Sequence, residues 1–480
     1  MDPAGLAGAR AVVAGLGQSG RAAATALVDL GARVRAVDSR AEMAEHAPAG
    51  VDVHTGADWH ALTATVLADP PDFLIASPGL PPSTPLLQAA ERAQVPIWSE
   101  VELAWRVSPD VPWLTVTGTN GKTTTVLMLA AMLRAAGRHA PAVGNVGTPI
   151  VTTVLGARGA DRPLQGLAVE LSSFQLHYTH TLAPHASACL NLAPDHLDWH
   201  GSAAAYAADK ARVYERTVAA CVYNEQDPET RGMVERADVQ EGARAVGFTL
   251  AVPGPGQVGV VEDVLVDRAF TAQRRTHAQE LATFADLSRG GATDPAAHQV
   301  SNALAASALA LAAGVEPAHI RGGLQSLAPA AHRIEHLGTR HGVRYINDSK
   351  ATNTHAAAAS LRAQAPGRVV WIAGGLAKGA DLGPLVAEVA DRLHAVVVLG
   401  TDPSPVLAAL DRHAPHLPRV VVPAEDTEPM HRAVQHAAHL ARPGDVVLLA
   451  PACASHDQFD SYAARGEAFT AAVDALEGPR

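Results

Sequence analysis

Short apolar runs bounded by turn residues alternate from end to end with alanine- and leucine-rich stretches of helical character. This alternation constrains the fold more than any other feature. A strand, a crossover helix and a second strand make the βαβ unit, and repeating it builds parallel sheets covered by helices. No repeat of fixed short period runs through the chain. At 480 residues the chain is too long for one ordinary core, so the alternation is divided among several domains.

Three blocks are expected. The first, residues 1–108, carries strands at "AVVAG" (11–15), "VRAVD" (34–38) and "DFLIASPG" (72–79), and closes at the Pro-flanked "SPDVP" (108–112). The second, 109–328, opens with "WLTVTGTNGKT" and runs through strands at "GLAVE" (166–170), "ASACLNL" (186–192) and "AACVYN" (219–224) to the helix "HQVSNALAASALALAAG". Within it, 251–270 alternates like a small β excursion. The third, 329–480, has strands at 343–349, 368–375, 394–400, 418–423 and 445–451. The fold class is therefore α/β in three domains: N-terminal Rossmann-like, central P-loop ATPase-like with a parallel or mixed sheet, and C-terminal Rossmann-like. Ligands of open α/β sheets bind beyond the carboxyl ends of strands. Glu170, Asn191, Asp348, Lys378 and Ser455 gather just past such ends.

Composition narrows the function. A formal net charge of −11 without long basic runs argues against nucleic-acid partners, which need clustered Lys and Arg. No apolar run approaches the roughly 18 residues of a membrane span, and the glycine-broken N-terminus makes a poor signal peptide. Three cysteines lie far apart without metal-type spacing, as expected in a reducing cytoplasm. Most of the 23 histidines read as compositional bias.

Two glycine-rich turns stand out. "VTGTNGKTTT" (116–125) follows a buried strand and opens a helix stopped by Gly137. The spacing is shorter than the familiar G-x-x-x-x-G-K-[ST], yet loop amides and a helix N-terminus would face an anion together. Lys122 would neutralise terminal phosphates and Thr123 is placed to bind Mg²⁺. "GLGQSG" (15–20), with Asp38 ending the next strand, fits the dinucleotide fingerprint. Read alone it leaves open a nicotinamide cofactor or a different diphosphate. Hydride transfer has no need of the Lys122 loop, which weakens the first. Glu170 and His196 follow strand ends and could complete a Mg²⁺ shell, whereas Lys210 in "AAAYAADKARVYER" reads as a solvated helix-face lysine. In "AHRIE", "INDSKATN" and "GGLAKGAD", Arg333 and Lys350 or Lys378 could clamp anions.

Taken together, "TGTNGKTTT", "ELSSFQL", "NLAPDHLDWHGS", "HRIE", "NDSKATN" and "PACASHDQF" resemble the Mur ligase family, in its MurD type, over essentially the whole chain. The resemblance implies ATP-dependent amide formation, a cytoplasmic step of peptidoglycan precursor synthesis. The alanine carboxylate of UDP-N-acetylmuramoyl-L-alanine attacks the γ-phosphate to give an acyl phosphate and ADP, and the amine of D-glutamate then displaces phosphate. By the same resemblance Gly118, Thr119, Asn120, Gly121, Lys122, Thr123 and Thr124 form the ATP loop. Lys122 and Arg333 stabilise the γ-phosphate, and Thr123, Glu170, His196 and a carbamylated Lys210 hold two Mg²⁺ ions. Asn302 lies near the adenine, with Gln299 where some members carry Asn, while Asp348 and Lys350 reach the nucleotide from the third domain. The first turn becomes a UDP site of Gln18, Ser19, Asp38, Ser39, Arg40 and Gly79, continued along the sugar and lactyl-alanine by Asn145, Ser172, Gln175 and His196. Thr352, Lys378, Ser455 and Tyr462 match positions around the incoming amino acid, although Tyr462 and His456 replace apolar residues of some relatives. Closure of the third domain would exclude water. The implied enzyme is a monomer with neither nucleic-acid nor membrane partners. Rivals are a ligase adding L-glutamate or another acid, a folate-polyglutamate enzyme, a nicotinamide-dependent oxidoreductase and a nucleotide-binding regulator that has lost catalysis, the last disfavoured by Lys122, Glu170, His196, Lys210, Arg333 and Asp348 occurring together.

Overall fold

The first apolar runs of the chain become five parallel strands: β1 (Arg10–Ala14), β2 (Arg33–Asp38), β3 (Asp52–Thr55), β4 (Phe73–Ala76) and β5 (Ile97–Trp98), in the order β3-β2-β1-β4-β5. β1 and β4 are covered on both faces, and so read as unbroken apolar runs rather than as alternation. The order reverses between β1 and β4, which opens a crevice at their carboxyl ends. The computed structural model describes residues 5–108, 110–288, 295–327 and 334–476. These fall into two compact units, Met1–Leu327 and Ala328–Arg480.

The first unit also holds a nine-stranded sheet made of β6 (Trp113–Thr117), β7 (Ala142–Gly144), β8 (Leu167–Glu170), β9 (Ala186–Cys189), β10 (Ala220–Asn224), β11 (Arg244–Phe248), β12 (Gln257–Val261), β13 (Val264–Asp267) and β14 (Gln279–Thr283). Its order is β14-β13-β12-β11-β10-β9-β6-β8-β7. Pairing is parallel from β7 to β12, then antiparallel through β13 and β14. The excursion expected at 251–270 is thus a hairpin that extends the sheet. On one face, helices Lys122–Ala135, Ala297–Ala312 and Pro317–Ser326 bury an Ala/Leu/Met core. Packing there is close: a Cβ on Gly323 would lie 2.6 Å from the Met132 backbone.

Two buried carboxylates on the helix Glu100–Arg106 tie the two sheets of this unit together. Glu102 accepts from the amides of His180 (2.7 Å) and Thr181 (2.9 Å), from Thr181 Oγ1 (2.6 Å) and from Arg106 Nε (2.8 Å). Glu100 accepts from the Val151 amide at 2.7 Å, and burial pushes its pKa up to about 7 against the opposing backbone hydrogen bonds.

In the second unit β15 (Glu335–Arg340), β16 (Val343–Asn347), β17 (Val369–Gly374), β18 (Leu393–Leu399), β19 (Arg419–Val421) and β20 (Val446–Leu449) form a sheet in the order β15-β16-β20-β17-β18-β19. All pairs are parallel except β15 with β16. β3, β5, β7, β11, β14 and β15 add to the strands expected from sequence. β5 has two residues, β3 and β15 are polar edges, and β7 has three, so none of these four shows the long apolar signature. The run expected to 79 stops at Ala76, where Ser77 and Pro78 start a turn closed by Leu80 N to Ser77 O at 3.0 Å. Among the described residues no helix is long and apolar enough to cross a membrane.

Candidate active site

β6 delivers the chain into "GTNGK" from the third strand in from one edge of the nine-stranded sheet, where its neighbours are β8 and β9. Gly118 (φ +142°) and Gly121 (φ +88°) take backbone conformations that other residues resist. They also let the loop approach its neighbours: a Cβ on Gly118 would lie 3.0 Å from Leu190 Cβ, and one on Gly121 would lie 2.4 Å from Asn302 Oδ1. Asn302 therefore sits directly behind the loop, buried. Asn191 anchors the loop. Its Oδ1 accepts from Asn120 N (2.8 Å), its Nδ2 donates to Asn120 O (3.1 Å), and its carbonyl accepts from Thr119 N (3.0 Å). Sequence flagged Asn191 only as a strand-end residue. Thr119 Oγ1 lies 3.1 Å from Tyr206 OH. Lys122, Thr123 and Thr124 open the following helix, and the exposed Gln299 reaches back to accept from Ala296 N at 3.3 Å at the head of its own helix.

Two ammonium groups converge on one carbonyl. Lys122 Nζ donates to Gly118 O at 2.8 Å and to Thr119 O at 3.0 Å, while Lys210 Nζ donates to Gly118 O at 2.9 Å. Lys210 is not on a solvated helix face: it is 2% exposed, over the Tyr206 ring. Burial, and then the Lys122 charge, push its pKa down to about 7. Glu170, at the end of β8, is 2% exposed. Its Oε1 accepts from Asn145 Nδ2 at 3.1 Å, and its buried Oε2 has no hydrogen-bond partner. A buried carboxylate oxygen left open beside a threonine-lined phosphate loop suits a hard cation such as Mg²⁺, which takes few protein ligands and completes its shell with phosphate and water. Among the described residues no group of three or more His, Cys, Asp or Glu side chains is spaced to hold a metal. His196, at φ +52°, packs edge-on against Phe174 with its amide on Asp195 Oδ1 at 2.9 Å. Ser172 and Gln175 bond each other in a capping box at the start of Ser173–His177.

The other glycine turn lines a cavity of about 380 Å³ at the β1/β4 crevice. Gln18, Ser19, Asp38, Ser39, Arg40 and Gly79 all line it, joined by Trp59 and Ser77, which sequence did not single out. Asp38 is held by the amides of Leu16 (2.7 Å) and Arg40 (3.0 Å) and by the Arg40 guanidinium (3.1 Å). Burial alone would raise its pKa; the bonds from Arg40 and Leu16 outweigh that and hold it below the usual carboxylate range.

In the second unit, Asp348 accepts from Ile334 N at 3.3 Å and from Ser360 Oγ. Lys350 lies over the Tyr462 ring at 5.0 Å, and Thr352 N bonds Lys350 O at 2.9 Å. Leu376 and Ala454 exchange backbone hydrogen bonds of 3.0 Å, drawing together the loops that carry Lys378 and the buried Ser455. Arg465, 1% exposed, donates to Ser349 O (2.9 Å), Ser349 Oγ (3.0 Å) and Cys453 O (3.1 Å), and burial lowers its pKa to about 10. Nothing in its helical sequence context marks it as anything but a solvated arginine. Arg333 lies outside the described residues.

Residues 9–99 match the Mur ligase MurD-like N-terminal domain, 116–310 the Mur ligase middle domain and 332–453 the Mur ligase glutamate ligase domain. The chain belongs to the Mur ligase family. It is therefore an ATP-dependent, amide-bond-forming ligase with the family's N-terminal, central ATP-binding and C-terminal α/β parts, and Mur ligases use ATP with Mg²⁺. A UDP-N-acetylmuramoylalanine–D-glutamate ligase of Streptomyces coelicolor is 51% identical over 485 residues, covering 99% of each chain. One of Thermobifida fusca is 52% identical over 474 residues, covering 98% of this Mur ligase and 100% of the relative. Among solved structures, UDP-N-acetylmuramate–alanine ligase MurC of Thermotoga maritima has a TM-score of 0.57 at 18% identity, covering 98% and 100%. MurF ligase of the same organism, in complex with ADP, has 0.53 at 18%, covering 87% and 92%. These two likenesses speak for the fold alone.

Proposed function

We propose that this Mur ligase joins D-glutamate to UDP-N-acetylmuramoyl-L-alanine with release of ADP and phosphate, in the cytoplasm and as a monomer. The observation that carries the reading is the convergence of Lys122 and Lys210 on Gly118 O beside the open Glu170 oxygen. The identity to ligases named for that reaction supports the choice of substrates.

The obstacle in the first step is repulsion between a carboxylate and ATP, both anionic. Lys122, at the head of a helix whose dipole also favours anions, stabilises the charge that develops on the transferring phosphoryl group. Thr123, Glu170, His196 and Lys210 as its carbamate are the groups proposed to hold two Mg²⁺ ions. When bound, these ions would neutralise phosphate charge as Lewis acids. An amine whose pKa is depressed to about 7 has a sizeable neutral fraction at physiological pH, and the neutral amine is the form that combines with CO₂. The carbamate would replace a repelling cation by an oxygen ligand. The 380 Å³ cavity is assigned to the UDP group, with Arg40 on the diphosphate and Asn145, Ser172 and Gln175 toward the alanine. Thr352, Lys378, Ser455 and Tyr462 are assigned to glutamate, and Asn302, Gln299, Asp348 and Lys350 to the nucleotide.

The test is phosphate release measured with UDP-N-acetylmuramoyl-L-alanine and D- or L-glutamate. Release that needs both the nucleotide-sugar and D-glutamate is expected. A preference for L-glutamate, or release indifferent to the amino acid, would refute the substrate assignment.

A further inference from the structure

Next to Lys210 lies a buried carboxylate with no part in the chemistry above. Asp209 is 5% exposed, and its oxygens accept from His177 Nδ1 at 2.9 Å and from His200 Nδ1 at 2.9 Å, with Arg212 Nε farther off at 3.6 Å. The His200 imidazole is fully enclosed, and its other nitrogen, Nε2, lies 2.9 Å from Ser173 Oγ. A carboxylate only accepts, so Nδ1 of a neutral His200 carries the proton and Nε2 receives the Ser173 hydroxyl. The order Ser–His–Asp is that of a nucleophilic triad. Ser173, however, is 2% exposed on the first turn of a helix, too enclosed to act as a nucleophile.

The mechanical content is different. Asp209 and Lys210 are consecutive on the helix Ala203–Ala211 and point to different sides of it. Lys210 reaches the phosphate loop, while Asp209 reaches Ser173–His177 and Leu197–His200. Rotation of that helix about its axis would carry Lys210 off Gly118 O and break both imidazole bonds to Asp209. The segment anchored by Ser173 begins one residue after Ser172, so the same hub also fixes the loop beyond Glu170.

We propose that Asp209 and His200 are positioning residues that lock the Lys210 helix against the loop after β8, and so preset Lys210 for its modified state. This rests on the carbamate reading of Lys210. Hydrogen bonds to a charged acceptor are among the stronger ones, and a buried one that is lost leaves its partner unsatisfied.

The experiment equilibrates the full-length protein with ¹³C-labelled bicarbonate and Mg²⁺ and reads the carbamate carbon by NMR, with Lys210→Ala as the blank. Melting temperature is recorded separately for each variant. Asp209→Asn is expected to raise the bicarbonate concentration at half-signal about tenfold and His200→Asn about threefold, the latter keeping an N–H toward Asp209 but losing Ser173. KM for the UDP-substrate is expected to rise in both while KM for ATP moves less. A merely structural role would lower the melting temperature and leave the half-signal concentration where it was. A wild-type signal with unchanged midpoints in the variants overturns the positioning role alone. Absence of a wild-type signal overturns the Lys210 reading and the proposal with it. Should Asp209→Asn not fold, the His200→Asn midpoint decides in the same way.

Discussion

The two glycine turns of the first unit are built alike and furnished differently. Each follows a buried parallel strand, each opens a helix, and each contains glycine at positive φ. In the 15–20 turn the glycines allow the backbone to close on itself: a Cβ on Gly20 would lie 1.8 Å from Gly15 O. The charges around that cavity pair off, Asp38 with Arg40, and the other polar side chains there, Gln18, Ser19, Ser39 and Ser77 among them, are amide and hydroxyl. In the 118–121 turn two ammonium groups share a carbonyl, near a carboxylate with an open oxygen. Glycine supplies close approach in both places. Charge arrangement separates the turn proposed to hold a diphosphate from the one proposed to let a phosphoryl group react.

Removing the charge from one turn only is the strongest way to break this comparison. Lys122→Met is expected to lower turnover about a thousandfold or more, with UDP-substrate affinity unchanged by calorimetry. Loss of both together would mean that the two turns are not independent. Next comes Gly20→Ala, which forces the Gly15 and Ser77 contacts apart. It should lower stability by about 1–3 kcal/mol in urea unfolding and weaken the UDP-substrate more than ATP. Arg40→Ala should raise KM for the UDP-substrate about tenfold and leave that for ATP unchanged, since Arg40 lines the first cavity.

Acidity sharpens the contrast further. With Lys210 at about 7, its neutral form falls toward about a tenth at one pH unit lower. kcat at fixed CO₂ should therefore decline below about pH 7 while UDP-substrate binding stays level. For stability, Lys210 folded binds fewer protons than Lys210 unfolded between about 7 and 10.5, so its contribution rises with pH through that window. Glu100 runs the other way. Its contribution is fully present below its ordinary 4.5 and lost as pH rises through about 7. Glu100→Gln, the mildest change, should stabilise the chain more at pH 8 than at pH 5, separating a fold-wide pH effect from the local one at the phosphate loop. Equal urea midpoint shifts at the two pH values would contradict the assignment.

Much of this was legible in the sequence because both turns are contiguous. Strand, glycine, lysine and helix follow in order within ten or so residues, and the six residues assigned to the first cavity do meet there. What was illegible is whatever depends on contacts across the chain. Lys210 reads as a solvated helix lysine, and only the meeting with Gly118, 92 residues away, shows otherwise. Asp209 next to it draws no notice in the sequence, yet its bonds go to two histidines. Arg465 spans 116 residues to Ser349. Short or polar edge strands such as β5 and β15 were missed for want of periodicity, not for want of pairing partners.

The place of β20 in its sheet has a consequence for how the protein is made. The five strands of the first sheet have all been synthesised by Trp98. In the second unit β20, residues 446–449, lies between β16 and β17, so the middle of that sheet stays open until this last of its strands has been made. A ribosome making this protein therefore completes the N-terminal sheet early and carries an incomplete C-terminal one until β20 has emerged. That late unit, with its long-range parallel pairing, is where slow folding and chaperone dependence should concentrate.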